Sequence, residues 1–196
     1  MGRIVSLTTP LSEGDVRALR LDDEVFLTGT VFAMAYSWQF AKAISMTKTH
    51  DKMPMNLENA AIIHCPASYQ KQGDRCEIRF IGVTTSSKLS QYTPEMIELF
   101  KIRSIIGKGG MDRATLAAMQ KYGCVYLAMP GGCSPLYTPS VQSVREYWPQ
   151  PNWVDNVLEL SVDRLGPLLV AMDSHGESIY EKQAQILAQA TYLDSV

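Results

Sequence analysis

The stretch that decides the reading is Ile78-Arg-Phe-Ile81, then Gly82-Val-Thr-Thr-Ser-Ser-Lys-Leu89, and, after a helix-like segment, Ser104-Ile-Ile106 followed by Gly107-Lys-Gly-Gly-Met111. Each apolar run empties into a loop of small residues. Such strand tips are where α/β proteins hold ligands. Thr84, Thr85, Ser86 and Ser87 offer uncharged hydrogen bonds, and Lys88 and Lys108 offer point charges for a carboxylate or phosphate. The glycines, Gly109 among them, let the backbone come close to a ligand. The residues therefore point to a small anion held between two loops. The plainer alternative is a pair of tight turns with solvated lysines. A P-loop is excluded, because Lys108 is followed by Gly109 where that motif needs Ser or Thr.

Working outward, other apolar runs share the pattern. Val25–Thr28 opens into Gly29-Thr30, a third candidate wall, and Cys124–Met129 opens into Pro130-Gly-Gly-Cys133. Helices are expected over Ser12–Leu21, Phe32–Met46, from Thr93 with Thr as cap and Pro94 in the first turn, from Asp112 to Gly123, from Pro139 to Val144, and over Ser178–Leu193. Further strands are expected at Ile4–Leu7, Ala60–His64, Leu158–Val162 and Leu168–Met172. Cys76–Ile81 is expected to pair with Ala60–His64 after a polar turn over Gln70–Arg75. Alternating elements in the middle and paired strands near the ends imply an α/β fold with a mixed sheet.

The chain of 196 residues is expected to form one domain spanning 1–196, long enough to bury about 70% of its unfolded surface without staples. With a net charge of −2 and no basic block, nucleic-acid binding is not indicated. No apolar run reaches membrane-span length. The four cysteines carry no C-x-x-C spacing and do not read as a metal site within this chain. Free thiols and no secretory segment near Met1 place the protein in a reducing cytoplasm. Low charge with ten methionines hints at surface covered by another subunit, or by a second copy in a homodimer. Methionines filling core gaps explain the same composition.

Leu27-Thr-Gly-Thr30, His64, Gly82-Val-Thr-Thr-Ser86, Gly107-Lys-Gly-Gly-Met111, Pro130-Gly-Gly-Cys133 and Gly166-Pro-Leu-Leu-Val-Ala-Met-Asp-Ser-His-Gly176 occur in the order and spacing of a known family. The chain resembles, nearly end to end, the β subunit of the iron–sulfur-dependent hydro-lyases of the class I fumarase and L(+)-tartrate dehydratase type. The resemblance implies a swivelling β/β/α domain. It implies a partner α subunit carrying a [4Fe-4S] cluster, whose open iron acts as Lewis acid on the departing hydroxyl of a small hydroxy acid. Carried over by position, Thr84 falls on the proton-abstracting threonine. Thr85, Ser86, Ser87 and Lys88 fall on the carboxylate-gripping loop, and Lys108 with Gly109 on a second anion contact.

The sequence departs from the family at three places. The family's Arg-Asp pair and nearby His read Ala35, Tyr36 and Gln39 here. Its Pro before the threonines is Val83, and its Arg four residues after the first threonine is Lys88. Losing a charge-assisted pair in a dry site costs about 2–5 kcal/mol, enough to change which acid binds. Tyr36 or Trp38 is a candidate neutral replacement. A catalytically silent anion-binding or partner-stabilising domain is the rival expectation. His64 is expected to be a satisfied core group, and His175 part of a hydrogen-bonded turn.

Overall fold

The computed structural model describes residues 2–73, 75–152 and 155–193. Its strands are β1 (Ile4–Thr8), β2 (Glu24–Ala33), β3 (Ala61–Ile63), β4 (Ala67–Gln72), β5 (Arg75–Ile81), β6 (Ser104–Gly107), β7 (Val125–Ala128), β8 (Val141–Tyr147) and β9 (Val157–Met172). Its helices are α1 (Glu13–Arg17), α2 (Ser37–Lys48), α3 (Thr93–Phe100), α4 (Arg113–Tyr122), the single turn α5 (Ser134–Tyr137) and α6 (Ile179–Leu193). The fold is α/β with a mixed sheet.

Strands β1, β2, β3, β6 and β7 run parallel in that spatial order, and β9 pairs antiparallel with β7 and again with β2. The sheet therefore closes on itself through β2, β3, β6, β7 and β9. A strand of 16 residues spans about 50 Å when extended. That length lets β9 reach β8 with its first half and β7 with its last, while β2 follows its other edge. Register shifts between Val25 and Leu27 and between Leu27 and Gly29 supply the bend that closure needs.

Period-two alternation divides the core. Ile63, Ile106, Val125 and Leu127 point to the closed side, with Leu165 and Val170 of β9. Ile62, Ile105 and Tyr126 point the other way, under Phe40 of α2, Met96 and Ile97 of α3 and Met119 of α4. Strands covered on both faces read as continuous apolar runs, which is why they were legible.

Several expectations are corrected. Strand β2 continues to Ala33 because β3 and β9 bond its two edges, so Phe32 is strand and the helix starts at Ser37. Gly29-Thr30 is mid-strand rather than a loop. A side chain at Gly29 would come within 2.5 Å of the Thr9 hydroxyl, so this glycine serves backbone approach, not a ligand. Strand β5 pairs with β4 instead of β3, since β3 already has β2 and β6 on its edges. The expected helix after Pro139 is a short 3₁₀ turn, Thr138–Ser140, leading into β8, drawn into strand by the free edge of β9. The two expected strands flanking Gly166 are one strand. Asp112 caps α4 as read, its carboxylate accepting from Thr115 N at 2.9 Å. Tyr92, rather than Thr93, takes the cap position of α3, and the Thr93 hydroxyl donates to the Leu89 carbonyl instead.

Candidate functional site

The carboxyl ends of β3, β5, β6 and β7 meet at one rim. Backbone hydrogen bonds fasten them in sequence: His64 N donates to Ile106 O (2.8 Å), Thr84 N to His64 O (2.7 Å), Ser86 N to Lys108 O (3.1 Å) and Met129 N to Gly107 O (2.8 Å). Thr85 and Lys108 form a parallel bridge. The threonine loop thus lies across the tips of β3 and β6 like a short extra strand. Thr84 and Lys108, separated by some two dozen residues in sequence, share one surface.

The loop's residues divide by exposure. Thr84, Thr85 and Lys108 are half-buried, and Ser87, Lys88 and Gly109 are exposed. Ser86 is fully buried, and its oxygen accepts the Tyr126 hydroxyl at 3.0 Å. Its hydroxyl faces inward and braces the loop from behind. Burial pushes the Tyr126 phenol up, so it remains a donor. Gly107 must lack a side chain, since a Cβ there would come within 1.9 Å of the Ser86 oxygen. Gly110, with φ of +73°, lies flat against the Tyr180 ring of α6, where a Cβ would sit 2.5 Å from the ring. The aliphatic stem of Lys108 passes over Gly131; a Cβ there would meet Lys108 Cδ at 3.2 Å and Nζ at 3.3 Å. Among the described residues no carboxylate pairs with the ammonium of Lys108 or Lys88.

Tyr126 and Tyr180 did not emerge from the sequence, and Gly131 did so only as part of the Pro130-Gly-Gly-Cys133 loop. The only signal was general: buried tyrosines seek a polar partner, and paired glycines admit an aromatic face. Nothing along the chain links Gly110 to Tyr180.

At the segment Ala35–Gln39 the structure is specific. Gln39 is buried, and its carbonyl oxygen accepts from Ala35 N (2.7 Å) and Tyr36 N (3.0 Å). Its amide donates to Asp155 O (2.9 Å) and Asn156 O (3.3 Å). Gln39 caps α2 and ties its start to Asp155 and Asn156. Its signal was the position three residues past the cap, where Gln closes a capping box. Burial raises the Tyr36 phenol, and the facing Asp155 carboxylate, to which it bonds, raises it further. Trp38 turns away to Trp148 (centroids 6.1 Å apart), over which Lys42 Nζ sits at 4.8 Å. Of the two candidate replacements, Tyr36 lies near Cys65, whose sulfur accepts from Gly82 N at 3.0 Å, while Trp38 packs on Trp148.

His64 is buried, but it is not the satisfied group expected. Neither ring nitrogen has a hydrogen-bond partner among the described residues, and the ring meets Phe40 edge-on at 5.6 Å. Burial lowers its pKa to about 3. Between the ordinary value near 6.5 and about 3, the unfolded chain binds a proton that the folded chain does not. Stability is therefore expected to fall as pH drops through that window, by about 3 kcal/mol between pH 7 and pH 4.5. Urea unfolding at pH 7 and pH 4.5 checks this, and His64→Leu should flatten the slope. An equal slope in the variant would assign the loss elsewhere. The Asp23 carboxylate, held near 2 chiefly by its hydrogen bond with Arg3, loses its contribution between its ordinary 3.8 and about 2, below pH 4.5. His175 lies in a turn where Asp173 Oδ1 accepts from His175 N (2.9 Å) and Glu177 N (3.0 Å).

No group of three or more His, Cys, Asp or Glu among the described residues is placed to hold a metal ion. Cys65 and Cys124 are buried, and burial pushes both thiols up, to about 12 at Cys65, which disfavours the thiolates a cluster needs. Among the described residues none forms a site that fits an iron–sulfur cluster. Among the described residues no helix is long and apolar enough to cross a membrane.

Comparison with known proteins gives the family. A family model described as Fumarase C-terminus matches residues 2–183. A protein of Methanocaldococcus jannaschii, provisionally named L(+)-tartrate dehydratase subunit beta, is 39% identical over 174 residues, covering 88% of this chain and 89% of the relative. The L(+)-tartrate dehydratase subunit beta of Escherichia coli K12 is 28% identical over 184 residues, covering 93% and 90%. A protein of Geobacillus stearothermophilus, provisionally named fumarate hydratase class I, is 29% identical over 186 residues, 91% of this chain but 34% of that longer protein. The chain belongs to the fumarase C-terminus family, the β-subunit type of the class I fumarase and tartrate dehydratase hydro-lyases.

Proposed function

We propose that the protein is the β subunit of an iron–sulfur-dependent hydro-lyase that adds water to, or removes it from, a small hydroxy acid in a reducing cytoplasm. In this reading residues 1–196 form one swivelling β/β/α domain, and an α subunit carries the cluster and closes the site. The observation that carries the proposal is the bridge between Thr85 and Lys108, which sets a hydroxyl loop and a free ammonium side by side at the strand tips. The β-subunit names of the relatives support a partner.

Dehydration needs a base at carbon, an acid at the departing hydroxyl and a cation that tolerates enolate charge. Thr84 takes the carbon-bound proton. Its hydroxyl is a weak base alone, so a partner group must accept the proton in turn. Lys108 neutralises the carboxylate into which enolate charge spreads. Thr85, Ser87, Lys88 and the Gly109 backbone complete the cradle, and Ser86 holds it from behind. The cluster, when bound by the α subunit, supplies Lewis acidity at the hydroxyl.

The test is anaerobic co-expression with the cluster-bearing subunit, followed by assay against fumarate, tartrate and related 2-hydroxy acids. A brown, oxygen-sensitive complex that turns over one of them is expected. Ala35 and Tyr36, standing where the family carries Arg-Asp, with the Tyr36 phenol bonded to Asp155, favour one second reading: a silent domain that binds an anion without converting it. A complex loaded with cluster yet inert toward every hydroxy acid would favour it.

A further inference from the structure

Tyr126 lies on β7 opposite Ile105, fully buried, with its ring edge-on to Tyr180 at 6.3 Å. A phenol oxygen donates one hydrogen bond and accepts another. Here the donor goes to the threonine loop, at Ser86 Oγ 3.0 Å away. The oxygen also meets the lysine loop. The Gly110 backbone N–H faces it, and a Cβ on Gly107 would stand 3.0 Å from it. The backbone bridge between Thr85 and Lys108 joins the same two loops along one line. The phenol adds a second tie on the buried side of that line. A ring packed in the core does not shift, so the two ties together fix the separation of the loops.

We infer that Tyr126 is a positioning residue for the hydration–dehydration step, holding the threonine loop and the lysine loop at the separation at which Thr84 and Lys108 act on one substrate. Being fully buried, its hydroxyl acts through Ser86 and Gly110 and not by contact with substrate. The inference rests on the hydro-lyase reading for the chemistry, while the coupling of the loops stands on the ring's contacts alone. Proton transfer is steep in distance, and a misplacement of about 1 Å costs on the order of 10²-fold. A lysine on its flexible stem follows a carboxylate through the same shift. Loss of the tie therefore belongs in kcat and not in KM.

Tyr126→Phe in the α-subunit complex tests this, with rates expressed per assembled cluster. kcat should fall about ten- to thirtyfold and KM should change less than about threefold. The buried Ser86 hydroxyl also loses its Tyr126 partner, so the unfolding midpoint should drop. Removing that hydroxyl as well deletes the unmet polar group and should restore much of the midpoint. The double variant Tyr126→Phe with Ser86→Ala therefore separates positioning from stability. Its midpoint should return toward the parent while kcat stays down about tenfold or more. Recovery of kcat together with the midpoint overturns the inference, and so does a Tyr126→Phe complex within about threefold of the parent kcat. Amide hydrogen exchange in the full chain alone reads the coupling without turnover. Exchange in Tyr126→Phe should rise about fivefold or more both over residues 82–89 and over residues 107–111. A rise confined to residues 82–89, or none, overturns the inference. A parent complex that turns over a hydroxy acid at a rate Tyr126→Phe matches leaves the hydro-lyase reading standing and this inference fallen. A parent complex inert toward every hydroxy acid removes that reading, and the exchange rates then uphold or overturn the coupling.

Discussion

Thr84→Ala is expected to lower kcat of the assembled enzyme by about 10²–10⁴-fold, the usual worth of a positioned proton acceptor. The substitution removes one hydroxyl and one methyl from a half-buried side chain. The backbone bond from Thr84 N to His64 O is untouched, so the loop keeps its place. The loss should therefore appear in kcat with little change in the unfolding midpoint. Thr84→Ser keeps the oxygen and should retain a measurable fraction of the rate. Steady-state kinetics under anaerobic conditions, with thermal unfolding as control, decide the matter. A variant within threefold of the parent would remove Thr84 from the chemistry and leave it a turn residue.

Lys108→Met should cost about 10²–10³-fold in kcat/KM, the scale of removing one preorganised group that meets developing negative charge. Met keeps the length of the stem, so contact with Gly131 survives and the effect isolates the charge. Lys108→Arg should not rescue. The guanidinium is larger, and the space over Gly131 is already close. The parent's kcat/KM should fall as salt is raised, and the Met variant should lose that dependence, because one attraction to an anionic substrate has gone. An unchanged salt profile would mean that Lys108 is a solvated surface cation. Thr84→Ala and Lys108→Met in combination should be less than additive, since Thr84 adjoins the residue bridged to Lys108 and both act on one substrate.

Chain periodicity and small-residue loops determined the class of fold and the candidate loops. Val25, Ile62, Ile63, Ile105, Ile106 and Leu127 sit in strands covered on both faces, and such strands advertise themselves as apolar runs. The Gly107–Gly110 loop was visible because only small residues tolerate its closeness to Ser86 and Tyr180. Asp112 and Gly123 bounded their helix because caps are local chemistry.

Tertiary structure decided what depends on pairing. Whether Gly166-Pro167 ended a strand, whether Pro139 began a helix and how far β2 ran were settled by which edge lay free to bond. That is a property of the closed sheet and not of any window of residues. The satisfied Gln39, the His64 ring without a hydrogen-bond partner among the described residues and packed on Phe40, and the seat of Gly110 on Tyr180 belong to the same class. In each, one member of the contact lies far along the chain, and a side chain's surroundings are fixed by what folds against it. The residues named a hydroxyl loop and a lysine loop. Only the packing of β3 against β6 made them neighbours.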